Sequence, residues 1–391
     1  MGERLRTSNR RPPKESDLPR LNLTQMEVPA LTGEVNVADG HARQELTSGQ
    51  RRIVESFPAL FEATQRASFD ELERETVREL FGALGQESLL RGPARVLSAY
   101  SSSVAVSVLA RALTTRTSAV ALVHPTFDNI PDILRGAGLR LVPVPEEELL
   151  DGSASALSDG VGCLFVTTPN NPTGAVLGPD ALASLAEACL ARRALLVLDT
   201  SFRGFDERAM YDSYAVLEEA GVEYVVVEDT GKLWPMQELK LGFLVAADHC
   251  ALPLEQAMTD ILLSVSPFVL GIVAQLAADA RAGGFVQLRR LIAENREVVR
   301  QGLSDTDAFL PDRDARVSVC RVALPEGWSA EAVRGALLGH GVHVLPCGPF
   351  HWADPPEGDG FVRLALARDR EVVEAATSAL AARLTSGILA G

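Results

Sequence analysis

The clearest pattern along the chain is a series of short, almost wholly apolar runs separated by helical segments or turn clusters. Seven such runs read RVLSAY at 95–100, VALVH at 120–124, LRLVPV at 139–144, CLFVTT at 163–168, LLVLD at 195–199, YVVVED at 224–229 and GFLVA at 242–246. A strand that is covered on both faces must be apolar along its whole length, and such strands alternate with helices in α/β proteins. The pattern therefore predicts an α/β fold with a mainly parallel sheet.

The flanking segments differ from this layer. Ser68 and Glu71 have the spacing of a capping box, which predicts a helix that ends at Gly85. A long helix is predicted beyond Pro267, followed by a strand–helix–strand pattern and a final helix. The predicted organisation is a disordered tail at 1–20, an N-terminal arm at 21–47, a helical segment joining the lobes at 48–92, a large α/β domain at 93–270, and a bridging helix with a small α+β domain at 271–391.

Charge and composition exclude several classes of protein. The formal charge of −15 argues against binding to nucleic acid, because an acidic surface repels phosphates. The five cysteines form no CxxC pair, so the sequence indicates neither a structural zinc site nor a disulfide framework, and it suggests a reducing compartment. The sequence shows no apolar stretch of membrane-spanning length and no signal peptide, which favours a soluble cytoplasmic protein with no membrane partner.

Polar residues follow several of the predicted strands, at the sheet edge where α/β proteins carry their functional groups. Ser101, Ser102 and Ser103 open a helix, and hydroxyls at a helix N-terminus suit a phosphate, although serines cap many helices without a ligand. Phe127 is placed either to stack on a planar ring or simply to pack in the core. Asn171 lies in a turn cluster stiffened by two prolines and a glycine.

An acid and an amine complete this set. Asp199 ends an apolar run, where a carboxylate needs a cationic partner to stay ionised. Lys232 follows another strand, and a lysine beside a desolvated pocket can serve as an amine nucleophile. Alone, Lys232 would be read as a surface lysine. A ring, an amide, a buried acid and an amine at successive strand ends predict one chemical site.

Four of these motifs, in this order, resemble the fold type I aminotransferases, which use pyridoxal 5′-phosphate (PLP). They are Asn-Pro-Thr-Gly at 171–174, Asp199, Lys232, and Arg363 in the run Phe-Val-Arg-Leu-Ala-Leu-Ala. The resemblance covers roughly residues 50 to 390. It implies a large PLP-binding domain with a smaller C-terminal domain, and a homodimer.

The resemblance also implies a role for each residue. Lys232 would form the Schiff base with PLP and then act as general base, Asp199 would pair with the pyridinium nitrogen, and Asn171 would lie near the phenolic oxygen. Phe127 would stack on the ring. Phosphate contacts would come from Ser101 to Ser103 and Lys240, and Arg363 would hold the substrate carboxylate through its bidentate guanidinium.

Two positions depart from the common aminotransferase pattern. Phe202 stands where those enzymes carry a tyrosine whose hydroxyl meets the phenolic oxygen of PLP, so that hydrogen bond must be missing or come from a neighbour such as Ser201. Lys240 stands where they carry a phosphate-binding arginine, which keeps the charge but loses the planar fork. Both changes argue against ordinary transamination.

Longer motifs resemble one smaller group, the PLP-dependent, dioxygen-using L-arginine oxidases and hydroxylases of actinobacterial natural-product pathways, including the enduracididine type. The motifs are Asn22-Leu23-Thr24-Gln25-x-Glu27, the run from Asn36 to Gln44, Tyr100 to Val104, His124 to Ile130, Asp199 to Phe205 and Glu228 to Pro235. The resemblance implies oxidation of free L-arginine by O₂ without a metal or flavin. A quinonoid formed after loss of the Cα proton would reduce O₂, and the products would be 2-ketoarginine, 4-hydroxylated or not, and ammonia.

The same resemblance directs attention to the arm. Thr24, Glu27, Asn171 and Asp229 are candidates for binding the substrate together with Arg363. Glu27 and Asp229 suit the guanidinium group, because it pairs with planar carboxylates. His41 is a candidate for proton transfer or for activating water. The simpler interpretations are a solvated acid for Glu27, a turn residue for Asp229 and a surface histidine for His41. An arm that closes over the site would exclude water, and we expect the arm from about Leu21 to be disordered without ligand and ordered with arginine bound.

Two other functions remain open from the sequence. One is a conventional amino acid aminotransferase, and the other is a regulator or binding module that keeps this fold without catalysis. Retention of Lys232, Asp199, Asn171 and Arg363 together argues against the second of these.

Overall fold

The computed structural model describes residues 21–155, 157–236 and 238–386, so the tail predicted at 1–20 lies outside the described residues. The helices are α1 (Leu23–Ala30), α2 (Ser48–Glu55), α3 (Phe57–Thr64), α4 (Phe69–Ala83), α5 (Glu87–Arg91), α6 (Ser102–Leu113), α7 (Asn129–Gly136), α8 (Glu146–Leu150), α9 (Pro179–Arg192), α10 (Ser213–Ala220), α11 (Leu254–Thr259), α12 (Pro267–Asp279), α13 (Phe285–Gly302), α14 (Ala330–Leu338) and α15 (Arg370–Thr385). The strands are β1 (Val35–Asn36), β2 (Arg95–Ala99), β3 (Ala119–His124), β4 (Arg140–Pro145), β5 (Cys163–Thr167), β6 (Leu195–Asp199), β7 (Tyr224–Asp229), β8 (Gly242–Ala246), β9 (Val319–Ala323), β10 (Val342–His343), β11 (Leu345–Pro346) and β12 (Phe361–Ala365).

A seven-stranded sheet forms the centre of the large lobe. Its strand order is β2-β8-β7-β6-β5-β3-β4, and only β8 runs antiparallel to its neighbours. Strands β5, β6, β7 and β8 are buried at every residue, as near-continuous apolar sequences require when helices cover both faces. The predicted α/β class and the mainly parallel sheet are confirmed. Parallel pairing also aligns Thr167 with Asp199 and Asp199 with Val227, which brings neighbouring strand ends to one edge.

A smaller lobe follows the long helical run. Strands β11, β12 and β9 form an antiparallel sheet, and α14 and α15 pack together beside it. The run Pro267–Gly302 is long and apolar enough to cross a membrane by length and composition, but 56% of its apolar window is buried in the protein. Gly283, with a φ of 114°, also breaks the helical geometry between α12 and α13. The apolar residues of this run are therefore explained by packing inside the fold.

The N-terminal arm packs against both lobes. Strand β1 pairs in parallel with β10 of the small lobe, and the Arg43 N–H donates to the Ala367 carbonyl at 3.0 Å. At the other end, the Leu23 N–H that begins α1 donates to the Asp128 carboxylate of the large lobe at 2.7 Å. The arm therefore bridges the two lobes.

The capping box predicted at Ser68 is not formed. Ser68 is the N-cap residue of α4, but its side chain makes no capping hydrogen bond. The acidic residues Asp70 and Glu71 lie in the first turn instead, where negative charge interacts favourably with the helix dipole. Reciprocal capping boxes occur at Asn22 with Gln25 and at Thr47 with Gln50.

Candidate active site

One cavity of about 220 Å³ lies at the carboxyl ends of the parallel strands, beneath the arm. It is lined by Thr24, Glu27, Gly40, His41, Ser101, Ser102, Ser103, Val106, Phe127, Asn129, Ile130, Ile133, Thr167, Asn171, Asp199, Ser201, Phe202, Asp229, Lys232, Lys240 and Arg363. The structure thus brings every residue that the sequence placed in the site to this one cavity, while the individual roles stay predictions. A larger cleft of about 1000 Å³, between α13 and residues 303–316, contains none of them.

Asp199, at the end of β6, is a buried acid of the cavity. Its carboxylate accepts the Ser201 backbone N–H at 3.0 Å and the Ser201 hydroxyl at 2.5 Å. Burial raises the pKa of Asp199, and the Ser201 hydrogen bond and the charge of Lys232 oppose that rise. The sequence suggested that Ser201 could replace the missing tyrosine as a hydrogen-bond donor to PLP. In the structure the Ser201 hydroxyl donates to Asp199 instead.

Lys232 lies in the loop that follows β7, between an acid and a ring. Its Nζ is 4.0 Å from Asp229 Oδ1 and 5.2 Å from the centre of the Phe202 ring. The ring occupies the position of the usual tyrosine, so the lysine faces a π surface and no phenol hydroxyl. A cation so placed is held by the ring quadrupole and by the carboxylate.

Asp229 joins this loop to the N-terminus of α6. Its two carboxylate oxygens accept the Ser102 N–H at 2.8 Å and the Gly231 N–H at 2.5 Å. Burial raises the pKa of Asp229, but the charge of Lys232 and these hydrogen bonds outweigh burial and lower it. The acid is therefore held ionised at the cavity wall, and a guanidinium group would be an additional partner for it.

The start of α6 and Lys240 form the polar end of the cavity. Ser101 caps the helix by accepting the Val104 N–H at 3.3 Å, and the Ser103 hydroxyl accepts from the Asn129 amide at 2.7 Å. Strand β8 can approach this turn only because its first residue is Gly242, since a Cβ there would lie 2.3 Å from the Ser101 carbonyl carbon. The hydroxyls, the helix N-terminus and Lys240 suit an anion.

His41 on the arm reaches this polar end. Its Nε2 lies 2.9 Å from Lys240 Nζ, and its Nδ1 lies 3.2 Å from Asp39 Oδ1. A lysine ammonium has only donors, so Nε2 accepts and Nδ1 carries the hydrogen that is donated to Asp39. This arrangement sets the tautomer of His41 and connects the arm to the candidate phosphate site.

Asp39 is a residue that sequence reasoning missed. It is almost completely buried, and it also receives Arg43 Nε at 2.9 Å and lies 3.3 Å from the Arg368 guanidinium. Burial raises the pKa of Asp39, but the His41 hydrogen bond and the charges of Arg368 and Arg43 outweigh it and lower the pKa well below its usual range. The one sequence signal for Asp39 is its place two residues before His41, in the motif from Asn36 to Gln44.

Arg363 and Glu27 form the opposite wall. Arg363 extends from β12, is completely buried, and donates to the Ala38 carbonyl and to Glu27, whose Oε1 lies 3.4 Å away. Burial raises the pKa of Glu27, and the charge of Arg363 opposes that rise. Thr24 lies one helical turn before Glu27 on α1 and lines the same cavity. Arg363 and Glu27, which the sequence assigned to opposite ends of the substrate, are thus paired with each other.

The residues of the cavity fit a PLP molecule. The side-chain oxygen of Asn171 is buried without a hydrogen-bond partner among the described residues, which leaves a polar atom that a bound group would satisfy. Lys232 supplies a primary amine, Asp199 a buried carboxylate, and the α6 N-terminus with Lys240 an anion site. These are the groups that PLP needs for its carbonyl carbon, ring nitrogen and phosphate.

Comparison with known proteins identifies the family. The model of the class I and II aminotransferases matches residues 33–380, most of the chain. The chain belongs to this family. Curated relatives include an aromatic amino acid aminotransferase from Cutibacterium acnes, 28% identical over 232 residues (54% of this chain, 63% of the relative), and a histidinol-phosphate aminotransferase from Akkermansia muciniphila, 28% identical over 203 residues (51% and 53%). This chain therefore spans only about half to two-thirds of the length of these two relatives.

Solved structures extend the comparison over nearly the whole chain. The structure of MppP soaked with the product 2-ketoarginine is 48% identical, with a TM-score of 0.87, and the match covers 89% of this chain and 99% of that one. Aspartate aminotransferase from Thermus thermophilus with maleate is 20% identical, with a TM-score of 0.76 and coverage of 94% and 97%. The second similarity supports the fold alone. The family and the fold expected from the sequence motifs are both confirmed.

Proposed function

We propose that this member of the aminotransferase family oxidises free L-arginine with PLP as cofactor and O₂ as co-substrate. The products would be 2-ketoarginine, its 4-hydroxylated form or both, together with ammonia. O₂ would accept the two electrons removed for each 2-ketoarginine, or the four removed for each 4-hydroxylated molecule, and would become hydrogen peroxide or water. The observation that carries the proposal is the 48% identity to MppP, a protein solved with the product 2-ketoarginine, over 99% of that chain. We further propose a cytoplasmic homodimer that acts in natural-product biosynthesis.

The cavity has charged groups suited to both ends of arginine. Arg363, with its planar guanidinium, is the group that suits the α-carboxylate. Glu27 and Asp229 are carboxylates available to a guanidinium, and both line the same cavity as Arg363. Glu27 contacts Arg363 at 3.4 Å, so an arginine bound in this way must separate the two side chains. Its carboxylate would then pair with Arg363 and its guanidinium with Glu27.

Lys232 and Asp199 would carry the chemical step. When bound, PLP acts as an electron sink for the electron pair left after an amino acid loses its Cα proton. Lys232 Nζ, held between Asp229 and the Phe202 ring, would remove that proton. Asp199 would hold a positive charge on the ring nitrogen, with Ser201 fixing the position of its carboxylate.

The arm would exclude water from the site and supply a second group for proton transfer. Its docking on both lobes covers the cavity and would exclude bulk water from reactive species. His41, whose Nδ1 is bonded to Asp39, would take a proton at Nε2 from a water molecule that adds to an oxidised side chain, and Nε2 must first give up its hydrogen bond from Lys240.

Oxygen consumption tests this proposal directly. PLP-loaded enzyme is incubated with L-arginine in an oxygen electrode without any ketoacid acceptor, and products are identified by mass spectrometry in labelled water. We expect O₂ uptake matched by ketoarginine and ammonia. Lys232→Ala should abolish it. Glu34→Gln, at an exposed position on the same arm, is the matched control and should retain it.

A conventional aminotransferase is the second candidate, favoured by the curated relatives, which are aminotransferases. In that case arginine turnover would require a ketoacid acceptor and would proceed equally well under nitrogen. That result would overturn the oxidase proposal while leaving the family assignment intact.

A further inference from the structure

A second cluster of polar side chains lies outside the active-site cavity. His124 ends β3, while His351 and Glu357 belong to the small-lobe segment between β11 and β12. His124 Nε2 lies 3.1 Å from Glu357 Oε2, and His351 Nδ1 lies 3.3 Å from the same oxygen. One ligand atom from each residue lies within 4.8 Å of the other two.

The two histidines are held by contacts that join the lobes. The Thr126 N–H, two residues after His124, donates to the Phe350 carbonyl at 3.0 Å. On the other side of His351, the Trp352 indole donates to the Val123 carbonyl at 2.9 Å. The two imidazoles meet edge to face, with ring centres 5.3 Å apart. Both rings are therefore positioned before any ion binds.

The distances in this cluster suit a small tetrahedral cation. Zinc binds imidazole nitrogen and carboxylate oxygen at about 2.0–2.2 Å, which places neighbouring ligand atoms of a tetrahedron roughly 3.3 Å apart. The two distances from the carboxylate to the imidazoles, 3.1 and 3.3 Å, are close to that value. The two histidine side chains are only 13% and 9% exposed, whereas Glu357 is 55% exposed, so water can reach the fourth position.

We propose that His124, His351 and Glu357 form a zinc site that links the small-lobe segment to the end of β3. Two imidazoles with one carboxylate match the ligand preference of Zn²⁺ and do not suit Mg²⁺ or Ca²⁺, which take oxygen ligands. The ion would add a further link between the lobes behind the wall of the active-site cavity. Phe127, which lines that cavity, follows His124 closely and packs on Phe350, with ring centres 5.9 Å apart.

Titration calorimetry with Zn²⁺ tests the site. The full chain, PLP-loaded and without a histidine tag, is treated with chelator and titrated in a buffer that does not bind zinc. We expect about one Zn²⁺ per chain with a Kd of about 10 μM or tighter. His351→Asn and Glu357→Gln should each weaken binding by about tenfold or more, because each removes one of three ligands. His340→Asn, at an exposed position on the same lobe, is the control and should bind as the unsubstituted chain does.

A second measurement reports the ligands themselves. Co²⁺ should give the intense visible absorption of a tetrahedral site in the unsubstituted chain and in His340→Asn, and lose it in Glu357→Gln. Glu357 is largely exposed, so this substitution leaves the core intact, and unchanged circular dichroism would verify it. Zinc binding that is absent at millimolar metal, or equal in all four proteins, would overturn the proposal without touching the arginine oxidase assignment.

Discussion

Asp39→Asn is expected to release the arm from the folded body. The substitution keeps the shape of the side chain but removes its charge, leaving the buried Arg368 and the half-exposed Arg43 facing a neutral amide. Breaking a buried ion pair costs about 3–5 kcal/mol. We take the lower end, about 3 kcal/mol, because Arg368 also donates to the carbonyls of Asn36, His41 and Ala367. A cost of about 3 kcal/mol raises the open fraction of the arm on the order of 100-fold.

Limited proteolysis of the full PLP-loaded chain measures this opening. When the arm opens and closes faster than it is cut, the cleavage rate within 21–47 follows the open population, so it should rise on the order of 100-fold in Asp39→Asn. Glu34→Gln removes an exposed charge from the same arm and should leave the rate unchanged. A rise of less than about threefold in Asp39→Asn would show that the ion pair between Asp39 and Arg368 does not hold the arm.

The pH dependence of arm docking follows from the same residue. The pKa of Asp39 is lowered in the folded protein, so its contribution is complete above the ordinary aspartate pKa of about 3.9 and is lost only as the pH falls below that value. Between pH 5 and 9, Asp39 should therefore impose no change in proteolysis of the arm.

Three further results are expected. Burial raises the pKa of Asp128 to about 7, so the buried carboxyl must ionise as the pH rises from about 4 through 7, and the free energy of unfolding measured with urea should fall over that range; Asp128→Asn should lessen that fall. Ser201→Ala removes a hydrogen bond that lowers the pKa of Asp199, so the acidic limb of the kcat/KM profile should move to higher pH; an unmoved limb would contradict the role of Ser201. Saturating L-arginine should slow cleavage of the arm, while L-leucine should not, and equal protection by both would contradict recognition of the guanidinium group.

The sequence predicted the sheet and the composition of the cavity because both follow from local rules. Continuous apolar runs predict buried strands, and the polar residue after each run lies at the shared strand edge once the strands are parallel. The place of Lys232, Asp199 and Asn171 in one cavity follows from that rule alone. Arg363 required the family resemblance, since it comes from the other lobe.

Other features depend on contacts between distant segments and have no local signal. Ser201 lines the cavity, but its hydroxyl donates to the nearby carboxylate of Asp199, a contact that the sequence does not reveal. The pairing of Glu27 with Arg363 joins residues more than three hundred positions apart. The cluster of His124 with His351 and Glu357 likewise exists only after the two lobes meet, so counting cysteines and nearby histidines could not reveal it.

The contact between Glu27 and Arg363 has a consequence for selectivity. With no substrate, each charge neutralises the other inside a site with little solvent. An entering carboxylate that binds Arg363 displaces Glu27, which must then take up a proton or remain as a buried anion unless the same molecule carries a cation at its far end. Leaving a buried charge unpaired costs more than the 1–3 kcal/mol of a neutral polar group. The cavity would therefore favour amino acids that carry a cation at the far end of the side chain over amino acids with apolar side chains.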